Sequence, residues 1–524
     1  MTTKMQFEPS KYEKLIDEFG LKQAWINLLA TKIRFSGEIY SYILKNEIFN
    51  KAKYFQEDYL LGLSIGEIGV VYEYSVAYID VDSRKSNGQY FTPDDVSNLM
   101  VQQTLDFPEG KWLDPCSGIG NLSWHLVNAQ PDKEEFLKKY LTLSDRDELA
   151  LIIARVLFTI SFQEKCENLY NEVEHCFQVL DFLSVSDNSG HDLFSESNLN
   201  LIPKHDFVIV NPPYLSIKGE DSRFETAKCR DLYAYFLENI IKTSKGFVSI
   251  TPQSFTNASK FRDLRLLLME TYPFIKIFAF DNIPGNIFYG VKYGSANSNT
   301  ANSMRAAIMV ARNGDGGYHI TSLLRWRTSE RGALFSSIDK FLAETEFSVD
   351  FFPKVSSIFN PLYKSMKSKP KLDSIIVHKE TKYALYIPAS PRYFIPALKK
   401  PVSRASLKTI YFNSASDMNR AYLLINSSLM YWWWRVRDGG MTLSLETIKS
   451  LPMPDFNVDT ELVRELEKSE SSNLVYKLNA GSMHENVKHD QNLVLKLNDL
   501  ISPRFSKRLI LTHENSELVQ LKRK

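Results

Sequence analysis

A chain of 524 residues is too long for one compact core and implies two to four domains, at roughly 100–200 residues each. With 44% hydrophobic, 24% charged and 13% aromatic residues, and only 22 Gly and 21 Pro, the composition excludes a fibrous or disordered chain. The net charge of +1 conceals a segregation: residues 351–412 hold twelve Lys or Arg against Asp373 and Glu380, so this segment carries +10 and the remainder −9. A local positive excess of this kind suits a polyanion such as nucleic acid. Cys116, Cys166, Cys176 and Cys229 lack the paired spacing of zinc ribbons, so neither structural zinc nor a disulfide scaffold is expected. The apolar stretch 149–162 is interrupted by Arg155 and falls short of the ~18 residues of a membrane span. Residues 1–14 lack a signal-peptide core. A cytoplasmic protein with no membrane partner is expected.

In chain order, residues 1–85 read as a helical segment, with Leu15, Phe19, Leu21, Trp25, Leu28 and Leu29 at three-to-four spacing. The polar run from Asp82 to Gly88 ends it. Residues 86–330 alternate helix-length amphipathic stretches with apolar runs at 111–113, 141–143, 177–180, 207–210, 247–250, 275–280 and 306–310. This pattern predicts an α/β fold with a doubly wound sheet, in which ligands collect at the carboxyl ends of the strands. Residues 331–524 lose the alternation, become basic and aromatic, and read as a separate recognition domain. Within them Tyr431-Trp432-Trp433-Trp434 is expected to be mostly core, because consecutive residues point in different directions.

The chemistry is sought at the strand tips. After the first run stands Asp114-Pro115-Cys116-Ser117-Gly118-Ile119-Gly120-Asn121. Two glycines there allow a sharp turn and close approach to a ligand, although an ordinary strand-to-helix turn has the same appearance. The second run ends in Asp145 and the third in Asp181-Phe182. Three carboxylates at three tips suit a ligand with an amine, a ribose and an adenine; each alone could cap a helix. The fourth run ends in Asn211-Pro212-Pro213-Tyr214. Two prolines cannot continue a central strand, so the chain leaves the sheet with a stiff geometry. The Asn211 side-chain oxygen and the Pro212 carbonyl can then grip the two hydrogens of an exocyclic amine while Tyr214 stacks on the attached base.

With these motifs in order, the sequence resembles the S-adenosylmethionine-dependent amino-group methyltransferases, most closely the gamma-class DNA adenine-N6 methyltransferases of bacterial restriction-modification systems. The likeness covers about residues 86–312 well and the remainder loosely. It implies an α/β, Rossmann-like seven-stranded methyltransferase sheet, an N-terminal helical segment (1–85), a catalytic domain (86–330) and a C-terminal target-recognition domain (331–524). It further implies S-adenosyl-L-methionine held by Tyr90, Thr92, Pro93, Asp114, Gly118, Gly120, Asp145, Asp181, Phe182 and Asn211. The catalytic set it implies is Asn211, Pro212, Pro213 and Tyr214, with Phe261 opposite Tyr214 across a flipped adenine; Phe255 is a neighbouring candidate for that last place, and either ring could be core. Lys399, Lys400 and Arg404 are expected to meet the phosphates of double-stranded DNA, against the alternative that such lysines merely solvate a surface. No metal is expected, and no room is seen ahead of residue 86 for a fused nuclease. The enzyme would act beside a separate restriction endonuclease or alone. The same Asn-Pro-Pro-Tyr serves enzymes that methylate RNA bases or release-factor glutamine, and these stay as alternatives.

Overall fold

The computed structural model describes residues 8–79, 92–184, 202–288, 304–391, 394–404, 406–438, 440, 442–479 and 482–519. The chain divides into two compact units. One comprises residues 1–255, 259–277 and 286–317, the other 256–258, 278–285 and 318–524.

The strands that lie wholly or mainly in the first unit are β1 (Trp112–Asp114), β2 (Leu141–Asp145), β3 (Phe177–Val179), β4 (Phe207–Val210), β5 (Gly246–Pro252), β6 (Phe274–Ala279) and β7 (Ala306–Arg312), and each coincides with one of the expected apolar runs. They follow the order β3-β2-β1-β4-β5-β7-β6 in a sheet of nine strands, two more than the expected seven. The first five pair in parallel, and β7 runs antiparallel to β5. Every residue of β1 and β4 is buried. That is why these strands read as unbroken apolar runs rather than alternating ones: a parallel strand is covered on both faces.

The N-terminal helices Pro9–Phe19, Leu21–Ser36 and Ile65–Ile79 lie in the same unit as the sheet. Trp25, Leu29, Ile33 and Val71 share one apolar core with Ile153, Val156 and Leu157 of the helix Glu148–Phe162. Asp147 starts that helix by accepting from the Leu149 and Ala150 amides at 3.0 and 3.3 Å, which satisfies two of its otherwise unpaired donors.

In the second unit β8 (Gly317–Thr321) pairs antiparallel with β9 (Leu342–Glu344). Strands β10 (Ile376–Val377), β11 (Ala384–Pro388) and β12 (Leu407–Phe412) form a three-stranded antiparallel sheet with β12 in the middle. Strands β13 (Leu474–Asn479) and β14 (Ser482–Val487) form a hairpin. The helix Ser428–Arg437 carries the aromatic tract, and Tyr431, Trp432, Trp433 and Trp434 are all buried in one core, as their spacing suggests. A cluster of buried charges in this unit is mutually compensated. The Asp281 carboxylate accepts from Arg435 at 3.0 Å and from Arg325 at 3.3 Å, while Arg325 also donates to the Tyr431 hydroxyl at 2.8 Å; removing one member would strand a charge away from water. Among the described residues no helix is long and apolar enough to cross a membrane.

Candidate active site

The strand order turns back on itself at β1 and β4, and the crevice beyond such a reversal is where α/β sheets bind ligands. From Asp114 at the tip of β1 the chain passes through the glycine loop into the helix Asn121–Asn128. Gly118 and Gly120 have φ of +53° and +83°, a region that side chains with a Cβ disfavour. Gly120 is restricted twice over, since a Cβ there would sit 2.8 Å from the Phe158 ring and 2.9 Å from Leu143. The loop is laced to β2: the Ser117 amide donates to the Ser144 carbonyl at 3.0 Å, and the Gly118 amide to Asp145 Oδ2 at 2.8 Å.

The expected strand-tip carboxylates surround this loop. Asp114 is 2% exposed; burial pushes its pKa up to about 7, Ser123 Oγ at 2.9 Å pulls the other way, and neighbouring Asp145 adds to the rise. Asp145 is also raised by burial, against the pull of hydrogen bonds from the Asp147 and Gly118 amides. Beyond β3, Asp181 is exposed and accepts from the Leu183 amide at 3.1 Å. The Phe182 ring is buried and stacks on Phe236 with centroids 5.4 Å apart.

At the tip of β4, Asn211 is fixed at both its ends. Its carbonyl accepts from Cys116 Sγ at 3.3 Å, and its side-chain Nδ2 donates to Thr92 Oγ1 at 2.9 Å. Pro212 is buried and Pro213 half-buried. The Tyr214 hydroxyl donates to the Ile250 carbonyl at 2.8 Å, and its ring meets Tyr233 and Phe288 edge-on, at 6.4 and 6.2 Å. Phe261 is 0% exposed and packs 5.2 Å from the Tyr233 ring; Phe255 is equally buried. Thr92 and Pro93 are buried, and Pro93 opens the helix Asp94–Gln102. Tyr90 lies outside the described residues.

Known proteins resemble the stretch of chain that holds this crevice. Residues 139–288 match the family described as Eco57I restriction-modification methylase, and residues 64–153 match N-6 DNA Methylase. Together the two family models cover residues 64–288. A curated relative, the type II methyltransferase M.PstI of Providencia stuartii, is 27% identical over 216 residues, which is 39% of this chain and 40% of that protein. The chain therefore spans two-fifths of that relative's length. Among solved structures, the DrdV–DNA complex is similar over 74% of this chain and 51% of its own, at 13% identity and a TM-score of 0.44. The type IIG restriction endonuclease BpuSI is similar over 96% and 77%, at 11% identity and a TM-score of 0.42.

The matched stretch holds a cleft of about 360 Å³ lined by residues between Gly69 and Phe236. Thr92, Asp114, Gly118, Asp145, Asp181, Phe182, Asn211 and Pro213 line it together. Sequence reasoning missed Gly69, Tyr72, Glu73 and Val76, which add a wall from the helix Ile65–Ile79. The Tyr72 hydroxyl donates to Asp147 Oδ2 at 2.6 Å, so this helix is tied to the β2 tip. The available signal was the three-to-four spacing that puts Gly69, Tyr72, Glu73 and Val76 on one face of that helix. Glu73, Asp114, Asp145, Asp147 and Asp181 line the cleft together with Arg146, and those of the carboxyls that are ionised favour a cationic ligand.

The three expected DNA-contacting residues belong to the second unit and differ in their surroundings. Lys399 Nζ is paired with Glu467 at 2.5 Å and bonded to Asn419 at 2.7 Å. Arg404 is half-buried, donates to Asn486, and has its pKa lowered by burial. Lys400 is exposed. In the basic segment Lys367 pairs with Glu346 and Lys369 with Asp455, while Lys354 is buried and bonded to Thr256.

Proposed function

We propose that the chain is a site-specific DNA methyltransferase that moves a methyl group from S-adenosylmethionine to the N6 amine of an adenine turned out of duplex DNA. It would serve as the modification enzyme of a restriction-modification system, beside a separate endonuclease or alone. The observation that carries this reading is that Asn211 and Pro213, of the run Asn211-Pro212-Pro213-Tyr214, line a carboxylate-bearing cleft at the β1–β4 reversal.

The residues present fit S-adenosylmethionine. The cleft volume is that of a small-molecule site, carboxyl groups line it where the ligand is a sulfonium and ammonium cation, and Gly118 lines it with no side chain to obstruct a ligand. Thr92, Pro93, Asp114, Gly118, Gly120, Asp145, Asp181 and Phe182 would hold it, together with Tyr72 and Glu73. When bound, it supplies a methyl carbon made electrophilic by the adjoining sulfonium.

The amine of adenine is a poor nucleophile because its lone pair is delocalised into the ring. Asn211 Oδ1 and the Pro212 carbonyl would accept its two N–H groups and favour a pyramidal nitrogen. The two prolines fix these acceptors beforehand, so no reorganisation is needed as the bond forms. The Tyr214 ring, oriented by the hydroxyl bond to Ile250, would stack on the base, which must leave the duplex for its amine to be reached. Phe261 would support this wall through Tyr233 rather than offer a face of its own.

The test offers S-adenosylmethionine with a tritiated methyl group to duplex DNA, RNA and release factor side by side. Label is expected in N6-methyladenine of the duplex, and label confined to RNA or glutamine would overturn the reading. Asn211→Ala is expected to lower kcat by ~100-fold or more with cofactor affinity nearly unchanged, since its acceptor acts in the transition state.

A further inference from the structure

The cleft has one wall that no strand tip supplies. Gly69, Tyr72, Glu73 and Val76 reach it from the helix Ile65–Ile79, so the fold has to hold that helix against the rest of the site. At its start, Ser64 Oγ donates to Asp94 Oδ2 at 2.6 Å, and a Cβ on Gly66 would sit 2.2 Å from Asp94 Oδ1. Asp94 opens the helix that follows Thr92 and Pro93, and its Oδ1 lies 3.1 Å from His125 Nε2, on the helix after the glycine loop. One aspartate thus ties the wall to both neighbours.

Further along the wall, Tyr72 is 6% exposed, with its ring edge-on to buried Trp25 at 5.2 Å. Its hydroxyl donates to Asp147 Oδ2 at 2.6 Å. Burial, and then the Asp147 charge, push the phenol pKa up, so Tyr72 keeps its proton and is the donor. The other oxygen of Asp147 accepts from the Leu149 and Ala150 amides. With both oxygens held, the turn at Asp147 is fixed, and its own N–H donates to Asp145 Oδ1 at 2.9 Å. The Gly118 amide donates to Asp145 Oδ2 at 2.8 Å. Asp145 is therefore gripped by two backbone amides, one from the glycine loop and one from the turn that Tyr72 braces. Each carboxylate oxygen can accept more than one bond, so a carboxylate held in this way offers its further acceptor directions in one geometry.

Resting on the proposed function, we propose that Tyr72 is a positioning residue for the sugar of the cofactor: by bracing Asp147 it sets the orientation in which Asp145 receives the ribose hydroxyls of S-adenosylmethionine. The N-terminal helix then contributes to recognition of the ligand as well as to its enclosure. Tyr72→Phe separates the two roles, since it keeps the ring and removes the hydroxyl.

The test is calorimetry on the full chain with S-adenosylhomocysteine and with its 2′,3′-dideoxy analogue, which lacks both ribose hydroxyls. The two affinities are read on one preparation, so their ratio does not depend on how much of a variant is folded. Tyr72→Phe is expected to weaken S-adenosylhomocysteine about tenfold, the worth of one hydrogen bond to a charged group, and the analogue by less than about threefold. In an Asp145→Ala background, Tyr72→Phe should change S-adenosylhomocysteine affinity by less than about threefold, because a residue that acts through Asp145 then has nothing to act on. Equal weakening of both ligands, or of neither, would overturn the proposal and leave Tyr72 as wall alone. Additive losses in the double variant would overturn it too, and would assign the hydroxyl to the ligand directly. Wild-type chain that binds neither ligand would defeat the proposed function and this inference together, whereas tight S-adenosylhomocysteine binding with a ratio indifferent to Tyr72→Phe would defeat the inference alone.

Discussion

Asp114 carries the clearest pH signature of the site. Its folded pKa stands at about 7 because burial disfavours the charged form, whereas an aspartate in an unfolded chain titrates near ~3.9. Between those values the folded state holds a proton that the unfolded state has released. The contribution of Asp114 to stability therefore falls as pH rises through this window, by up to about 4 kcal/mol. Asp114→Asn preserves size and an acceptor for Ser123 but does not titrate, so the stability of wild type relative to this variant is expected to fall between pH 4 and pH 7, read from thermal midpoints. A cation entering the cleft favours the carboxylate, so S-adenosylmethionine binding near pH 6 should release a proton and tighten as pH rises to about 7. Calorimetry in two buffers of different ionisation enthalpy measures that proton. Equal heats in both buffers would mean that Asp114 does not sense the ligand.

At the scale of an element, the glycine loop separates two reasons for having no side chain. Gly118 and Gly120 both sit at positive φ, which costs an L-residue ~1–2 kcal/mol. An added Cβ meets nothing within 4 Å at Gly118, but at Gly120 it overlaps Phe158 and Leu143. Gly120→Ala should thus lower the melting temperature distinctly more than Gly118→Ala, and should also weaken cofactor binding by displacing the Gly118 amide from Asp145. Equal shifts would show that the loop relaxes around the methyl. The loop itself was legible in the sequence, as were the tips of β2, β3 and β4. Buried parallel strands are unbroken apolar runs, and what ends them is chemically distinctive: Asp114 before two glycines, Asp145, Asp181 and Asn211 before two prolines. The wall contributed by Tyr72 and Glu73 was not legible, because their helix sits 75 residues from Asp147 in the chain and its amphipathic pattern is equally that of a supporting helix. The burial of Phe261 was hidden for a similar reason: an aromatic in the turn Ser259–Phe261 ahead of a helix looks the same in sequence whether it faces a ligand or another ring.

For the whole molecule, charge counting along the chain overstated how much of the basic segment is available to DNA. Lys399, Lys367 and Lys369 find Glu467, Glu346 and Asp455 at sequence separations of 68, 21 and 86, pairings that a local sum does not register. Lys364, Lys379 and Lys400 are exposed and make no ion pair among the described residues. Each phosphate neutralised contributes about −0.9 to the logarithmic dependence of affinity on salt. Replacing Lys364, Lys379 and Lys400 by Gln should therefore weaken specific and nonspecific duplex binding alike and flatten that slope by up to about 3 units if all three meet phosphate. Lys399→Gln is expected to behave differently. Its ammonium also lies 5.0 Å over the Tyr422 ring, and its loss leaves Glu467 and the half-buried Glu470 facing each other with less compensation. The variant should lower the melting temperature while leaving the salt slope close to that of wild type. Titrations of fluorescent duplex at several salt concentrations read both outcomes. A flattened slope in Lys399→Gln would mean that the Glu467 pair opens when DNA arrives, and an unchanged slope in the triple variant would move the phosphate contacts away from this segment.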